Sequence, residues 1–256
     1  MTESVSFDRA ADFYNQTRGF PDGVSEHVGK FLAKAGELDR KSRVLEIGIG
    51  TGRIAIPLAH HVDRVFGVDI SKQMLHILLK NRDTDNLWPI LGDATTLPLP
   101  DNAFDAAIST HVFHLIPNWE QALNEVQRVL KPGGSLLNCF NGSNAIGDLR
   151  QKAFAEVPEP ENVGVHWRDL PKFIQQAGWT RSRKETYEYD YEQAPNILVE
   201  QLQNRMWSST WRMSDEDIRQ GVERLQAILE AEFEDPSQPI QVTGSFNVEV
   251  FSQPSL

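Results

Sequence analysis

The sequence predicts an α/β fold: a doubly wound, mostly parallel sheet with helices on both faces. Three observations carry that prediction. Apolar β-forming runs alternate with helical stretches from Arg43 to Phe140. Three glycines, Gly48, Gly50 and Gly52, follow the first of those runs directly in RVLEIGIGTGR and mark a strand-to-helix turn. A chain of 256 residues, 40% hydrophobic and 24% charged, is long enough to bury one full α/β core with additions.

The elements follow in order. Phe7, Ala10, Ala11 and Tyr14 recur at i, i+3, i+4 and i+7 behind Ser6 as a cap, which predicts a short amphipathic helix ending near Gly19 and Pro21. A second helix covers Ser25 to Ala35. RVLEI, VFGVD, WPILG, FDAAIST and GSLLNCF then read as strands. The helices between them start at Arg53, run through SKQMLHILLKN, and span Trp119 to Val129. Beyond Asn141 a stretch rich in Gly, Pro and Glu reads as loop to about Gly164, and HWRDLPKFIQQAG as a helix stopped by Gly178. RSRKETYEYDYE and IQVTGSFNVEVF read as the last two strands. Between them one helix starts at Pro195 and carries Leu198, Leu202 and Met206. The next is capped by Ser214 and has the stripe Ile218, Val222, Leu225, Leu229 and Phe233. With no repeat and no low-complexity linker, these additions are expected to pack on the core sheet.

Composition excludes some classes of function. Asp and Glu outnumber Lys and Arg by 36 to 25, for a net charge of -11, and no basic block occurs. That surface repels a phosphate backbone and argues against nucleic acid as a partner. The single cysteine, Cys139, precludes an intrachain disulfide, and nothing beside it in sequence activates its thiol. The N-terminal MTESVSFDRAADF lacks a basic segment followed by an apolar core, and no apolar run reaches membrane-spanning length. A cytoplasmic location without a membrane span is the expectation; the sequence predicts no oligomeric state.

In a parallel sheet, ligands bind beyond the C-terminal ends of the strands, and the first strand-to-helix turn is the usual place. The dinucleotide fingerprint G-x-G-x-x-G requires a third glycine where Arg53 stands; here the spacing is G-x-G-x-G. Glu46, just before Gly48, is a poor neighbour for pyrophosphate and a good one for a cation. S-adenosylmethionine carries a sulfonium and an ammonium and no phosphate, so it suits this charge better than NAD. Asp69, ending the second strand, is placed to accept hydrogen bonds from ribose hydroxyls. Asp93, ending the third, is placed to accept the adenine amine, with the Ala94 amide beside it and Ile70 and Met74 as apolar contacts for the ring. Acidic residues also cap helices after strands, but three successive strand ends bearing one each form a stronger pattern than any alone.

VLEIGIGTGR, VFGVDIS, GDATTLPLPDNAFDAAIST and RVLKPGGSLL, in this order and spacing, resemble the motifs of the class I S-adenosylmethionine-dependent methyltransferases. FDRAADFYNQTRGF is similar to the N-terminal lid of the branch containing ubiquinone and menaquinone biosynthesis methyltransferases and many small-molecule relatives. The resemblance runs from about Phe7 to Leu137. It implies a Rossmann-like seven-stranded sheet with a helical N-terminal lid and a C-terminal helical cover, in one domain over 1–256. Lid helices would occupy 1–40, the cofactor-binding core 41–142, and the substrate-side helices with the last two strands 143–256. It further implies that Gly48, Ile49 and Gly50 lie against the methionyl part of the cofactor and that Glu46 orders its amino group. Thr110 and His111 would face the methyl side, and Tyr14 and Arg18 would close over the cofactor carboxylate.

Methyl transfer from a sulfonium is an in-line displacement that gains much from holding donor and acceptor collinear in a dry pocket. If the acceptor must lose a proton, His111 and His114 are the candidate bases, with His166 behind them. Their i, i+3 spacing has no third ligand nearby, so no metal is expected. Trp207 and Trp211, with Met206 and Met213, form either a wall of an acceptor pocket or part of a core. The expected function is methylation of a small, apolar or aromatic molecule, leaving S-adenosylhomocysteine. The alternative is a protein that binds this cofactor in a structural or regulatory role without turnover.

Overall fold

The structure, a computed structural model, describes residues 4, 6–8, 14–157 and 163–254. Ala10 and Ala11 of the first predicted helix lie outside them. Helix α1 runs over Tyr14–Arg18 and α2 over Val24–Ala35. Strand β1 (Arg43–Ile47) then leads through the glycine turn to α3 (Ala55–Ala59), β2 (Arg64–Asp69), α4 (Lys72–Asn81) and β3 (Leu87–Leu91). Next come β4 (Phe104–Thr110), α5 (Trp119–Val129) and β5 (Leu130–Asn141). After these follow α6 (Ala145–Ala153), α7 (Leu170–Gln176), β6 (Thr180–Gln193), α8 (Ile197–Gln203), α9 (Asp215–Glu232) and β7 (Ile240–Ser252).

The seven strands form one sheet in the order β3-β2-β1-β4-β5-β7-β6. β1 pairs in parallel with β2 and with β4, β2 with β3, and β4 with β5. Side-chain bonds Thr186 to Asn247, Thr243 to Asp190 and Gln241 to Glu192 advance along β6 as they retreat along β7, so those two strands are antiparallel. The chain order reverses direction at β1, between β2 and β4. That is the switch point beyond which a doubly wound sheet binds its ligand.

By contacts the chain groups into two compact units, the first comprising Met1–Phe140, Asn162–Tyr187 and Phe246–Leu256, the second Asn141–Glu161 and Glu188–Ser245. The core of the first joins Leu45 and Ile47 of β1 to Phe104 of β4, Phe113, Val126 of α5 and Trp179. These residues come from the apolar run before the glycine turn, from the stretch running from β4 through α5, and from the position directly after Gly178.

The core of the second unit gathers Ile146 and Leu149 of α6, Leu202 of α8, Trp207, and Leu225 and Leu229 of α9. Helix α9 starts with a full capping box: the Ser214 hydroxyl accepts from the Asp217 amide, and the Asp217 carboxylate accepts from the Ser214 amide. Helix α6 stands where the sequence predicts loop. Asn144 Oδ1 accepts from the Gly147 amide at 2.8 Å, and Ile146, Leu149 and Ala153 are buried; one glycine in a nine-residue helix obscured a stripe that tertiary packing supports. Helix α8 ends before Met206, because Arg205 takes a φ of 50° and breaks the helical path. Trp207→Ala is expected to cost about 3–5 kcal/mol of stability, the usual range for emptying a buried aromatic site. A denaturant titration checks it; an unchanged midpoint would remove Trp207 from the core.

Candidate functional site

The turn after β1 is built to bring backbone close to a ligand. Gly48 and Gly50 take φ of 66° and 54°, a left-handed conformation that glycine adopts without steric cost. A Cβ at Gly48 would fall inside the Val112 side chain. The Gly48 amide donates to Val68 O at 2.8 Å, and the Gly50 amide to Asp69 Oδ2 at 2.8 Å. Asp69 Oδ1 accepts from the Ser71 amide at 2.8 Å, and Ser71 in turn caps α4 by accepting from the Met74 amide. One carboxylate therefore ties the glycine turn to the start of α4. Burial raises the Asp69 carboxyl above its ordinary range, against the pull of these amides.

Beyond the C-terminal ends of β1, β2 and β4 lies an open cleft enclosing about 670 Å³, solvent at its mouth included. It brings together ten of the residues singled out in the sequence: Tyr14, Gly48, Gly50, Asp69, Ile70, Met74, Asp93, Ala94, Thr110 and His111. Sequence reasoning missed its apolar wall of Val112, Leu115 and Ile116; their place directly after β4, in HVFHLI, was the available signal. Phe7 and Tyr14 meet edge to face at 5.8 Å on its rim. Two side-chain bonds hold this N-terminal segment: Thr51 to Asn15 Oδ1 at 2.6 Å, and Ser71 to Asp8 Oδ1 at 2.6 Å. His111 holds a φ of 56°, a strained setting for a non-glycine residue that recurs at functional sites. Asp93 spends Oδ1 on the amide and hydroxyl of Thr95, both at 2.8 Å, so it also caps its own turn.

Other predicted residues lie off this lining. Ile49 packs its side chain against Gly67 of β2, where a Cβ would overlap it. Arg18 sits on α1, and His114 on the short 3-10 turn Phe113–Leu115. Trp207 is in the core of the second unit, and the Trp211 indole donates to Arg205 O at 2.7 Å. Among the described residues no group of three or more His, Cys, Asp or Glu is placed to hold a metal, and no helix is long and apolar enough to cross a membrane.

Glu46 is 2% exposed, and among the described residues its Oε2 has no hydrogen-bond partner. Burial pushes its carboxyl well above the usual range; the Arg53 guanidinium opposes that and the Asp69 charge adds to it. A buried, unsatisfied carboxylate oxygen is costly unless a donor reaches it. Among the described residues no Lys or Arg lines the cavity, so nothing there neutralises a phosphate. S-adenosylmethionine, which has cationic groups and no phosphate, fits this donor set, whereas a dinucleotide does not.

Residues 45–138 match the family described as "Methyltransferase domain". The core of this chain is thus similar to a methyltransferase domain. Over 140 residues it is 31% identical to the uncharacterised methyltransferase YcgJ of Bacillus subtilis, covering 54% of each chain. Over 134 residues it is 32% identical to a demethylmenaquinone methyltransferase of Chlamydia trachomatis, covering 52% of this chain and 58% of that one. The chain thus spans about half the length of the curated relatives it matches. The fold is shared with phosphoethanolamine N-methyltransferase 2 of Haemonchus contortus, solved with phosphomonomethylethanolamine and S-adenosylhomocysteine. The TM-score is 0.56 at 19% identity, covering 98% of this chain and 61% of that one.

Proposed function

We propose that the protein is an S-adenosylmethionine-dependent methyltransferase acting on a small, apolar or aromatic acceptor. The observation that carries this is the cavity's charge: Asp69 at the end of β2 and Asp93 just beyond β3 line it, with no basic side chain among the described lining residues, and Glu46 of β1 is buried just before the glycine turn. The relatives named as methyltransferases support the same reaction class.

When bound, the cofactor supplies an electrophilic methyl group on a sulfonium. Asp69 has both oxygens oriented by backbone amides, and their remaining lone pairs accept the ribose hydroxyls. Ile70 and Met74 pack on the adenine, and Asp93 with the Ala94 amide reads its edge. Glu46 accepts from the ammonium, directly or through water, which supplies the partner its Oε2 lacks. Val112, Leu115 and Ile116 exclude water from the reacting end. His111 stands on the acceptor side, where its ring accepts a proton if the acceptor must release one.

The test is ligand-dependent melting. S-adenosylmethionine and S-adenosylhomocysteine at a hundredfold excess over Kd are expected to stabilise by about 2.7 kcal/mol, or about 5–10 °C for a chain of this size, while NAD leaves the melt unchanged. Stabilisation by NAD alone would overturn the reading. Transfer of labelled methyl to any member of a small-molecule panel supports catalysis; cofactor binding without transfer across a broad panel supports a structural or regulatory role instead.

A further inference from the structure

Beside the cavity, one strand further along the sheet, is a cluster that the cofactor reading leaves unused. Thr110, the last residue of β4, pairs with Cys139 of β5, so Phe140, the next residue of β5, follows that pair as His111 does on the neighbouring chain segment. The Phe140 ring is half-buried and packs against Trp167 with centroids 6.2 Å apart. Trp167 is 45% exposed, which is unusual for so large an apolar side chain. Its segment is tied to the cavity wall, because the Gly164 amide donates to His114 O at 3.0 Å. A Cβ at Gly164 would collide with the carbonyls of Phe113 and Ile116.

Two cations attend these rings. The Arg168 guanidinium lies 5.0 Å from the Trp167 ring centre, and Lys184 Nζ 5.9 Å from that of Phe140. Among the described residues neither has a carboxylate partner. Elsewhere on β6 the cations are engaged: Arg181 with Glu249 at 2.8 Å and Arg183 with Glu37 at 2.7 Å. In a chain of net charge -11, aromatic surface carrying two cations that have no carboxylate partner among the described residues is a local reversal of character. Such cations rest on an aromatic face by cation–π attraction and are free to turn toward an anion.

We propose that Phe140, Trp167, Arg168 and Lys184 form the acceptor shelf, and that the acceptor is a planar aromatic bearing an anionic group. This deepens the methyltransferase reading and rests on it. The ring stacks on Trp167 and Phe140, taking the place Arg168 now holds. Arg168 and Lys184 then pair with the carboxylate or phenolate, and the shelf hands the acceptor to the side of the cavity where His111 stands.

The test uses cinnamate as probe, with cinnamamide as its neutral analogue and cyclohexanecarboxylate as a non-aromatic anion, titrated with and without S-adenosylhomocysteine. Wild-type protein is expected to bind cinnamate about tenfold more tightly than either control. Trp167→Ala is expected to lose about tenfold for both aromatic probes while Trp167→Phe keeps most of the affinity. Lys184→Met, at an exposed position, should reduce the preference for cinnamate over cinnamamide, and Arg168→Met combined with Lys184→Met should erase it, which keeps the test decisive even if Trp167→Ala does not fold. Equal affinity of the wild type for all three probes, or a preference that survives the double substitution, overturns the shelf. S-adenosylhomocysteine is titrated into every variant in parallel. Cofactor binding without cinnamate binding rejects the shelf and leaves the methyltransferase reading standing, whereas failure of the cofactor to bind rejects that reading itself.

Discussion

Glu46→Gln is expected to make the ligand-free protein more stable at neutral pH and to weaken its hold on S-adenosylmethionine at least about tenfold, the value of one hydrogen bond to a charged group. Both effects come from one buried oxygen. Glu46 is 2% exposed, its Oε2 has no partner among the described residues, and burial raises its carboxyl well above the usual range despite Arg53. The folded state therefore holds the proton more tightly than the unfolded chain does. Stability is fully present below the ordinary carboxylate range and falls as pH rises through that range toward the raised folded value. Glutamine has no proton to release, so the slope should shrink. It should not vanish, because the Asp69 carboxyl is raised as well and contributes in the same direction.

A cationic ligand favours the ionised form, so cofactor binding should release a proton from wild-type protein, and less from Glu46→Gln. Calorimetry in buffers of different ionisation enthalpy measures it. Unchanged affinity in the variant would place the ammonium elsewhere. A lowered melt would show that Glu46 serves as a partner to Arg53 rather than as an unsatisfied acceptor.

Legibility in the sequence followed the range of the interactions concerned. β1, β2, β4 and the turn between β1 and α3 were readable because apolar runs and glycine spacing are local properties. The seven strands and their mostly parallel pairing agree with what the motifs implied. Helix α6 was not readable, since its stripe of Ile146, Leu149 and Ala153 gains meaning only against α9. The grouping of 141–161 with 188–245 was also hidden, because it joins stretches separated by α7 and the first half of β6. In the site, residue types at strand ends pointed to Asp69, Asp93 and Glu46, but not to what else holds them. The Asn15 to Thr51 and Asp8 to Ser71 bonds each span dozens of positions, and no periodicity encodes them.

Asp69→Ala shows what that difference means for experiment. Viewed as a strand-end carboxylate facing an empty pocket, Asp69 has no role in the ligand-free fold, and its loss would leave the melt unchanged. The structure requires a different expectation, because Oδ2 accepts from Gly50 and Oδ1 from Ser71, each at 2.8 Å. Truncation strands both amides, and Ser71 is fully buried. An unsatisfied buried donor costs about 1–3 kcal/mol, so the pair should lower stability by about 2–6 kcal/mol. The glycine turn loosens with it. Cofactor affinity should then fall by more than about a hundredfold, since two charge-assisted bonds to the ribose disappear and their frame is disturbed. Asp69→Asn separates the two contributions: it keeps one acceptor oxygen for an amide but sets an NH2 group against the other. It should melt between wild type and Asp69→Ala while binding S-adenosylhomocysteine nearly as poorly as Asp69→Ala does. Calorimetric titration beside thermal melts of the three proteins reads both quantities. If Asp69→Ala melts like wild type, the two amides find other acceptors and the carboxylate does not organise the turn. If it melts lower but binds the cofactor unchanged, the ribose does not reach Asp69, and the ligand placement built on it fails.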